Sequence, residues 1–375
     1  MLRGMPWYMW LVGALGLALL MIVHEGGHFL AARAYGMRVT RFSIGFGPTI
    51  FKIQPEEGYF WFTTAAGKVR LRLWRHIPEK HGPTVFQVAA IPFLAYVQIA
   101  GMNPLEEVDP KDKGSYANAR LIGRIVAIFA GPFANYLFAS IVFFGVYAVA
   151  GKLHVEPEST TIRVMENMPA AKAGIVDGDK IVNVAGVEVD SWNKMAENIA
   201  KRPGETVPIV VIRKGERVTL EITPINVEGK GGKIGVGQYQ YRQSVSAGEA
   251  AELAIKRPAL VVKDVVLGLK SWLKKRSVED LGGPGRMVQE TANAAKGGLA
   301  DYLEFLAILS AYLGAFNLIP FPALDGGRLM FLGYEAATRR RANPRIEAVI
   351  HGVGLIMLLG LMGYVTLFND ILGSK

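Results

Sequence analysis

The chain has 375 residues, of which 51 % are hydrophobic, an apolar balance unusual for a soluble enzyme of this size. It contains no cysteine, which excludes a disulfide framework, a thiolate zinc site and a cysteine nucleophile, and leaves His, Asp and Glu to hold any metal. The formal net charge is +10, but the Lys and Arg cluster beside apolar runs, where a membrane protein places them, so nucleic acid is not the expected partner.

Four apolar runs are long enough to cross a bilayer. Residues 7–30 are apolar apart from His24, Glu25 and His28, and residues 125–150 carry no charge. Residues 302–327 are apolar except for Glu304 and Asp325, and residues 348–368 are apolar with one His, His351. Arg3 ahead of the first run also fits a signal peptide, but the run is long and carries a polar motif that no signal peptide needs. Between the first two runs, residues 42–48 and 59–64 read as strands or hairpins beside the membrane. Residues 85–101 are apolar, short and broken by Pro92, which reads as an interfacial or re-entrant piece.

Further along, residues 161–224 read as a compact α/β module. Residues 162–165, 180–184, 208–213 and 218–222 are strand-like, and residues 170–174 and 192–200 helix-like. Residues 229–237 are a glycine-rich linker. Residues 247–275 form an amphipathic helix with Leu260, Val261, Val265, Leu269 and Trp272 on one side, suited to a membrane surface or to packing on a neighbour. The boundaries that follow are 1–35, 36–121, 122–151, 152–228, 229–301, 302–331, 332–345 and 346–372. Arginines at 33, 38, 41, 70, 72, 75, 120 and 124, and again at 328, 339, 340, 341 and 345, put those two connections in the cytoplasm. Both termini and the segment 151–301 then lie outside.

His24-Glu25-Gly26-Gly27-His28 is an H-E-x-x-H sequence within the first span. Residues four apart on a helix lie one above the other, so His24 and His28 can offer nitrogens to one ion. Glu25, one position round, faces a water at the metal and can serve as general base. Ionisable groups inside a span are costly without partners and mark function. A catalytic zinc takes three protein ligands. Asp325 is the expected third, because the first and third spans cross in the same direction and both put these residues in their later part. Pro320 and Pro322 break the backbone there, which suits a water-filled pocket. His351 reads as a packing residue. Zinc suits this ligand set better than iron or cobalt, though not uniquely.

Together with Asn317-Leu318-Ile319-Pro320-Phe321-Pro322-Ala323-Leu324-Asp325-Gly326, this motif resembles the site-2 protease family of intramembrane zinc metalloproteases, in its bacterial regulator-of-sigma-E protease branch. Gly131-Pro132-Phe133-Ala134-Asn135, the Phe42–Pro48 hairpin, Met168–Gly174 with Asp177–Ile181, and Phe368-Asn369-Asp370-Ile371 are similar to further family elements. Leu94-Ala95 replaces the Gly-Gly usual before the Tyr. The resemblance implies four transmembrane helices, a membrane-associated β-hairpin region and one extracytoplasmic α/β PDZ-like domain over residues 152–228. It implies one Zn2+ on His24, His28 and Asp325, with Glu25 as base. Asn317 and the hairpin residues Phe42, Ser43, Ile44 and Gly45 are implied to hold the substrate, the hairpin by adding it as a strand. The expected partners are single-span membrane proteins such as anti-sigma factors or remnant signal peptides, the lipid bilayer, and a substrate or regulatory peptide on the PDZ-like domain. The expected location is the bacterial inner membrane. A metal-ion transporter would use the same side chains to line a path, and a PDZ scaffold would need none of them.

Overall fold

The computed structural model describes residues 6–54, 59–64, 67–72, 84–156, 158–165, 167–227, 231–275 and 282–372. Helix α1 (Trp7–Ala34) is followed by strands β1 (Val39–Gln54), β2 (Tyr59–Thr64), β3 (Gly67–Arg72) and β4 (Val85–Ile99), then helix α2 (Leu121–Ala150). Next come β5 (Lys152–Val155), β6 (Ile162–Val164), α3 (Pro169–Lys172), β7 (Lys180–Val184), β8 (Val187–Glu188) and α4 (Trp192–Ala200). Strands β9 (Val207–Arg213), β10 (Glu216–Ile222), β11 (Ile225–Val227), β12 (Gly231–Lys233), β13 (Val236–Gln238) and β14 (Gln240–Gln243) follow. The chain closes with α5 (Ala247–Lys275), α6 (Pro284–Lys296), α7 (Leu299–Asn317), α8 (Asp325–Thr338) and α9 (Pro344–Val365). These elements form two compact units, Met1–Val146 with Ala247–Lys375, and Tyr147–Ser246.

In the first unit, α1, α2, α7 and the helical stretch Pro344–Asp370 are long and apolar enough to cross a membrane. Their outer faces carry Leu11, Leu15, Leu19, Ile141, Phe144, Val349, Val353 and Ile356, all exposed. Bare apolar surface of that extent is costly in water and is satisfied by lipid. Helices α6 and α7 pack on α1, and Tyr302 Oη donates to Val12 O at 3.0 Å. Helix α5 packs on α7 through a face spaced by the helical period, with Ala250, Ala254, Val261 and Val265 buried. Leu260, expected on that face, is exposed instead.

Strands β1 to β4 make one antiparallel sheet in the order β3-β2-β1-β4. Most of segment 85–101, expected to be interfacial or re-entrant, forms the long strand β4, whose later part, residues 95–99, is the edge of the sheet. Its Val, Ile and Phe residues favour a pleated surface, and Pro92 falls between the stretches 85–91 and 95–99 that pair with β1, where a missing N–H interrupts no ladder. The sheet seats on α1, where Phe29 meets both Phe42 and Phe86 edge-on, with ring centroids 5.7 and 5.8 Å away.

The second unit is built on an antiparallel sheet of order β10-β9-β7-β8. Ile162, Ile181, Val184, Met195, Ile209 and Val211 form its fully buried centre. The unit also runs further than residue 228. The glycine-rich stretch expected as a linker contributes β12, which pairs with β11, and β13, which pairs with β6, while β14 returns to β5. Gly231 and Gly235 take φ of 70° and 78° there, so the glycines turn the chain between short strands instead of loosening it.

Asp179 is buried in this unit, and burial works against its charge. Hydrogen bonds from Arg213 Nε and Nη2, at 2.9 and 2.7 Å, and from the Val176 amide outweigh that and hold its carboxyl below the usual range. A lowered folded-state pKa contributes stability above the unfolded value of about 3.9 and loses it as pH falls toward the folded one. The melting midpoint of this unit is therefore expected to drop between about pH 5 and about pH 3. In Arg213→Gln the drop should be smaller, because the group that lowers the pKa is gone, and a pH series of thermal melts checks this.

Candidate active site

His24 and His28 stand one turn apart on α1, their rings 4.9 Å between centroids and nearly perpendicular. The close approach of α2 to this turn depends on missing side chains. A Cβ on Gly27 would lie 2.1 Å from Ala130 O, and one on Gly131 would lie 2.3 Å from His28 Nε2. Both histidines are buried, and both have their second ring nitrogen occupied by α2. His28 Nδ1 lies 2.8 Å from Ala127 O, to which it donates. The Asn135 side-chain amide lies 3.1 Å from His24 Nδ1. Asn135 is fully buried and its Oδ1 has no partner. Turning the amide over presents that oxygen to an Nδ1–H, the arrangement required when Nε2 faces a metal.

The third side chain arrives from the break between α7 and α8. Helix α7 ends at Asn317, residues 318–324 carry Pro320 and Pro322, and Asp325 is the first residue of α8. Ala323 sits at φ 75°, a strained value for a residue with a Cβ, and its amide donates to His351 Nδ1 at 2.9 Å. His351 thus pins the loop that delivers Asp325 and stays outside the cluster. Ten residues on, Glu335 of α8 accepts both guanidinium nitrogens of Arg124 from α2, at 3.0 and 2.5 Å. The two contacts fix α8 at both ends of its first three turns.

Asp325 Oδ2 lies 3.2 Å from His24 Nε2 and 3.2 Å from His28 Nε2, and the two Nε2 atoms are 3.3 Å apart. Ligand atoms about 2.0–2.1 Å from one tetrahedral ion stand about 3.3 Å from each other. Asp325 Oδ2 is also buried with no hydrogen-bond partner. A buried carboxylate oxygen left without a donor and facing two imidazole nitrogens is a poor arrangement unless a cation sits between them. The donor set of two neutral nitrogens and one carboxylate therefore fits a divalent metal of the zinc class, with a fourth position open.

Glu25 does not join the triangle. Its Oε2 accepts the Val97 amide of β4 at 3.0 Å, which puts the edge strand against the histidine turn. A cleft of about 590 Å3 lies along the same strand, lined by Tyr96, Val97, Gln98, Ile99, Met102 and Arg328 among others.

The other expected site residues are placed elsewhere. Asn317 Nδ2 donates one turn back to Leu313 O, within α7. Phe42 and Ser43 are buried in β1, and Ser43 Oγ donates to Gly45 O while accepting from Gln87 Nε2. Ser43 and Ile44 already pair with Tyr96 and Ala95, and with Gln87 and Val88. Residues 42–45 therefore lie inside the sheet, and β4 is the edge next to the histidines. Sequence reasoning gave no role to Asn135, Val97 or Ala127. Asn135 alone left a trace, as the last residue of a Gly-Pro-x-x-Asn element within a span. Asn135→Ala is expected to weaken metal binding about 10–100-fold with the fold intact, measurable by competition against a chelator of known affinity.

A family model described as Peptidase family M50 matches residues 12–72 and 71–361. A Mesorhizobium japonicum protein is 30 % identical over 382 residues, covering 95 % of this chain and 96 % of its own length. A Rhizobium meliloti protein is 29 % identical over 379 residues, covering 95 % and 94 %. Both bear provisional zinc metalloprotease names. Zinc metalloprotease RasP of Shouchella clausii is 29 % identical over 413 residues, covering 94 % and 96 %.

Proposed function

The chain belongs to peptidase family M50 and is a zinc-dependent metalloprotease, and on that premise we propose that it cuts single-span membrane proteins within or next to the bilayer. The observation that carries the reading is the triangle of His24 and His28, buried on the membrane-length helix α1, with the partly buried Asp325 at the start of α8, and Glu25 next to His24 in the same turn. In this reading His24 Nε2, His28 Nε2 and Asp325 Oδ2 hold one zinc ion. A zinc ion held there would supply Lewis-acid polarisation of the scissile carbonyl and a bound water acidic near neutral pH. Glu25 takes the proton from the attacking water on a carboxylate oxygen and delivers it to the leaving amide nitrogen. Ala127 O and Asn135 keep both imidazoles in the tautomer that leaves Nε2 free. Lipid and the packed helices restrict bulk water to the cleft.

A transmembrane helix hides its amides in internal hydrogen bonds, so the substrate must unwind before it is cut. We assign its capture to strand addition on the edge of β4, in place of residues 42–45. Asn317, at the end of α7, would steady the unwound backbone. The Tyr147–Ser246 unit would be the extracytoplasmic PDZ-like domain, binding a substrate or regulatory peptide. Both chain termini would share that side of a bacterial inner membrane, with the zinc toward the cytoplasm. Substrates of the remnant signal-peptide or anti-sigma-factor kind suit a site reached from within the bilayer. The test is to incubate the purified protein with a single-span substrate in detergent and map the cut by mass spectrometry. The reading requires chelator-sensitive cleavage inside or within a few residues of the apolar segment. Cuts confined to distant soluble loops would sink it.

A further inference from the structure

The Val97 amide is the link between the sheet edge and the base. Val97 sits in β4 opposite Phe42 of β1, yet its N–H is given to Glu25 Oε2 at 3.0 Å and not to the ladder. It is therefore an outward amide of the edge strand. Its neighbours Tyr96 and Gln98 face Ser43 and Arg41 across the ladder. Val97 also lines the cleft of about 590 Å3 beside α8. A strand added to β4 at this level must use the outward N–H of the edge residue it meets. At the approach to the histidines that donor is already taken.

We infer that Val97 is a positioning residue whose amide holds Glu25 in the resting enzyme and passes to the substrate backbone on docking, so that peptide capture releases the base. This rests on the proposed strand addition to β4. One N–H cannot serve a carboxylate and a substrate carbonyl at full strength at once. Docking in register thus frees Oε2 as the scissile segment arrives, and an unoccupied site keeps it tethered. The coupling favours peptide bound as a strand over short peptides that reach the metal without pairing.

The test is backbone hydrogen exchange resolved to Val97, on the full chain in detergent, for wild type, Glu25→Gln and Glu25→Ala. The probe is a synthetic single-span peptide with a helix-breaking Gly-Pro pair. The amide oxygen of Gln still accepts, so Val97 should exchange as in wild type. In Glu25→Ala it should exchange about tenfold faster, the effect of one hydrogen bond to a charged group. Tyr96 and Gln98 should stay protected in every protein, which certifies the fold of β4. The peptide should restore protection at Val97 in Glu25→Ala and bind that variant about tenfold more tightly than Glu25→Gln, because no acceptor competes. If the peptide protects Val97 but Glu25→Ala changes neither its exchange nor peptide affinity, the hand-off is wrong and strand addition stands. If bound peptide leaves Val97 unprotected in Glu25→Ala, strand addition itself fails and the inference falls with it.

Discussion

Glu25→Gln is expected to purify with its full complement of zinc and to cleave a single-span substrate about 10²–10⁴-fold more slowly than wild type. The size follows from the role. Gln keeps the length of the side chain and can still accept the Val97 amide, held at 3.0 Å in the native protein, so the resting geometry survives. It has no carboxylate to take a proton from water or return one to the leaving nitrogen. The three donor atoms at 3.2–3.3 Å from one another do not include Glu25, so metal content should not move. Parallel zinc analysis and single-turnover cleavage check the two halves. Loss of zinc together with activity would make Glu25 a ligand and rule out the base assignment.

The second large effect is steric and separates two adjacent glycines. A Cβ on Gly26 would meet nothing within 4 Å, whereas one on Gly27 would lie 2.1 Å from Ala130 O. Gly26→Ala should therefore leave folding and zinc content unchanged, helped slightly by the better helix propensity of Ala. Gly27→Ala must push α1 and α2 apart, because the atom it strikes is backbone. Gly131→Ala acts on the same contact from the α2 side. Its Cβ would lie 2.3 Å from His28 Nε2 and 2.5 Å from Cε1. That ring cannot swing away without giving up its 2.8 Å hydrogen bond to Ala127 O. Gly27→Ala and Gly131→Ala are each expected to lower zinc affinity at least about 10–100-fold, and activity with it. Zinc affinities equal to wild type in both would show that the helix approach does not set the ligand geometry.

The long apolar helices and the meeting of His24, His28 and Asp325 were legible because each violates a strong physical rule. An uninterrupted apolar run such as residues 125–150 has few uses outside a bilayer. His24, Glu25 and His28 inside such a run demand an explanation. Pro320 and Pro322 announced the break that turns Asp325 inward. The edge strand was hidden for the opposite reason. In residues 85–99, apolar content and Pro92 point away from a regular strand, and only the partner β1, some forty residues back, makes it one. Pairing of this kind is non-local, so a window on the sequence cannot see it. The reach of the second unit past residue 228 was missed because glycines read as slack, whereas here they turn the chain between paired strands. Val97 could not have been found from residue type, since the group that matters is a backbone amide. Asn135 was visible only as the last residue of a Gly-Pro-x-x-Asn element within a span.

The most direct measurement of the central claim is X-ray absorption at the zinc edge on the purified full chain and on Asp325→Ala. The account predicts one zinc per chain in the native protein, with two imidazole nitrogens and a carboxylate oxygen about 2.0–2.2 Å away, and loss of the ion or of that oxygen in Asp325→Ala. A native protein without zinc, or a spectrum identical in Asp325→Ala, would contradict it.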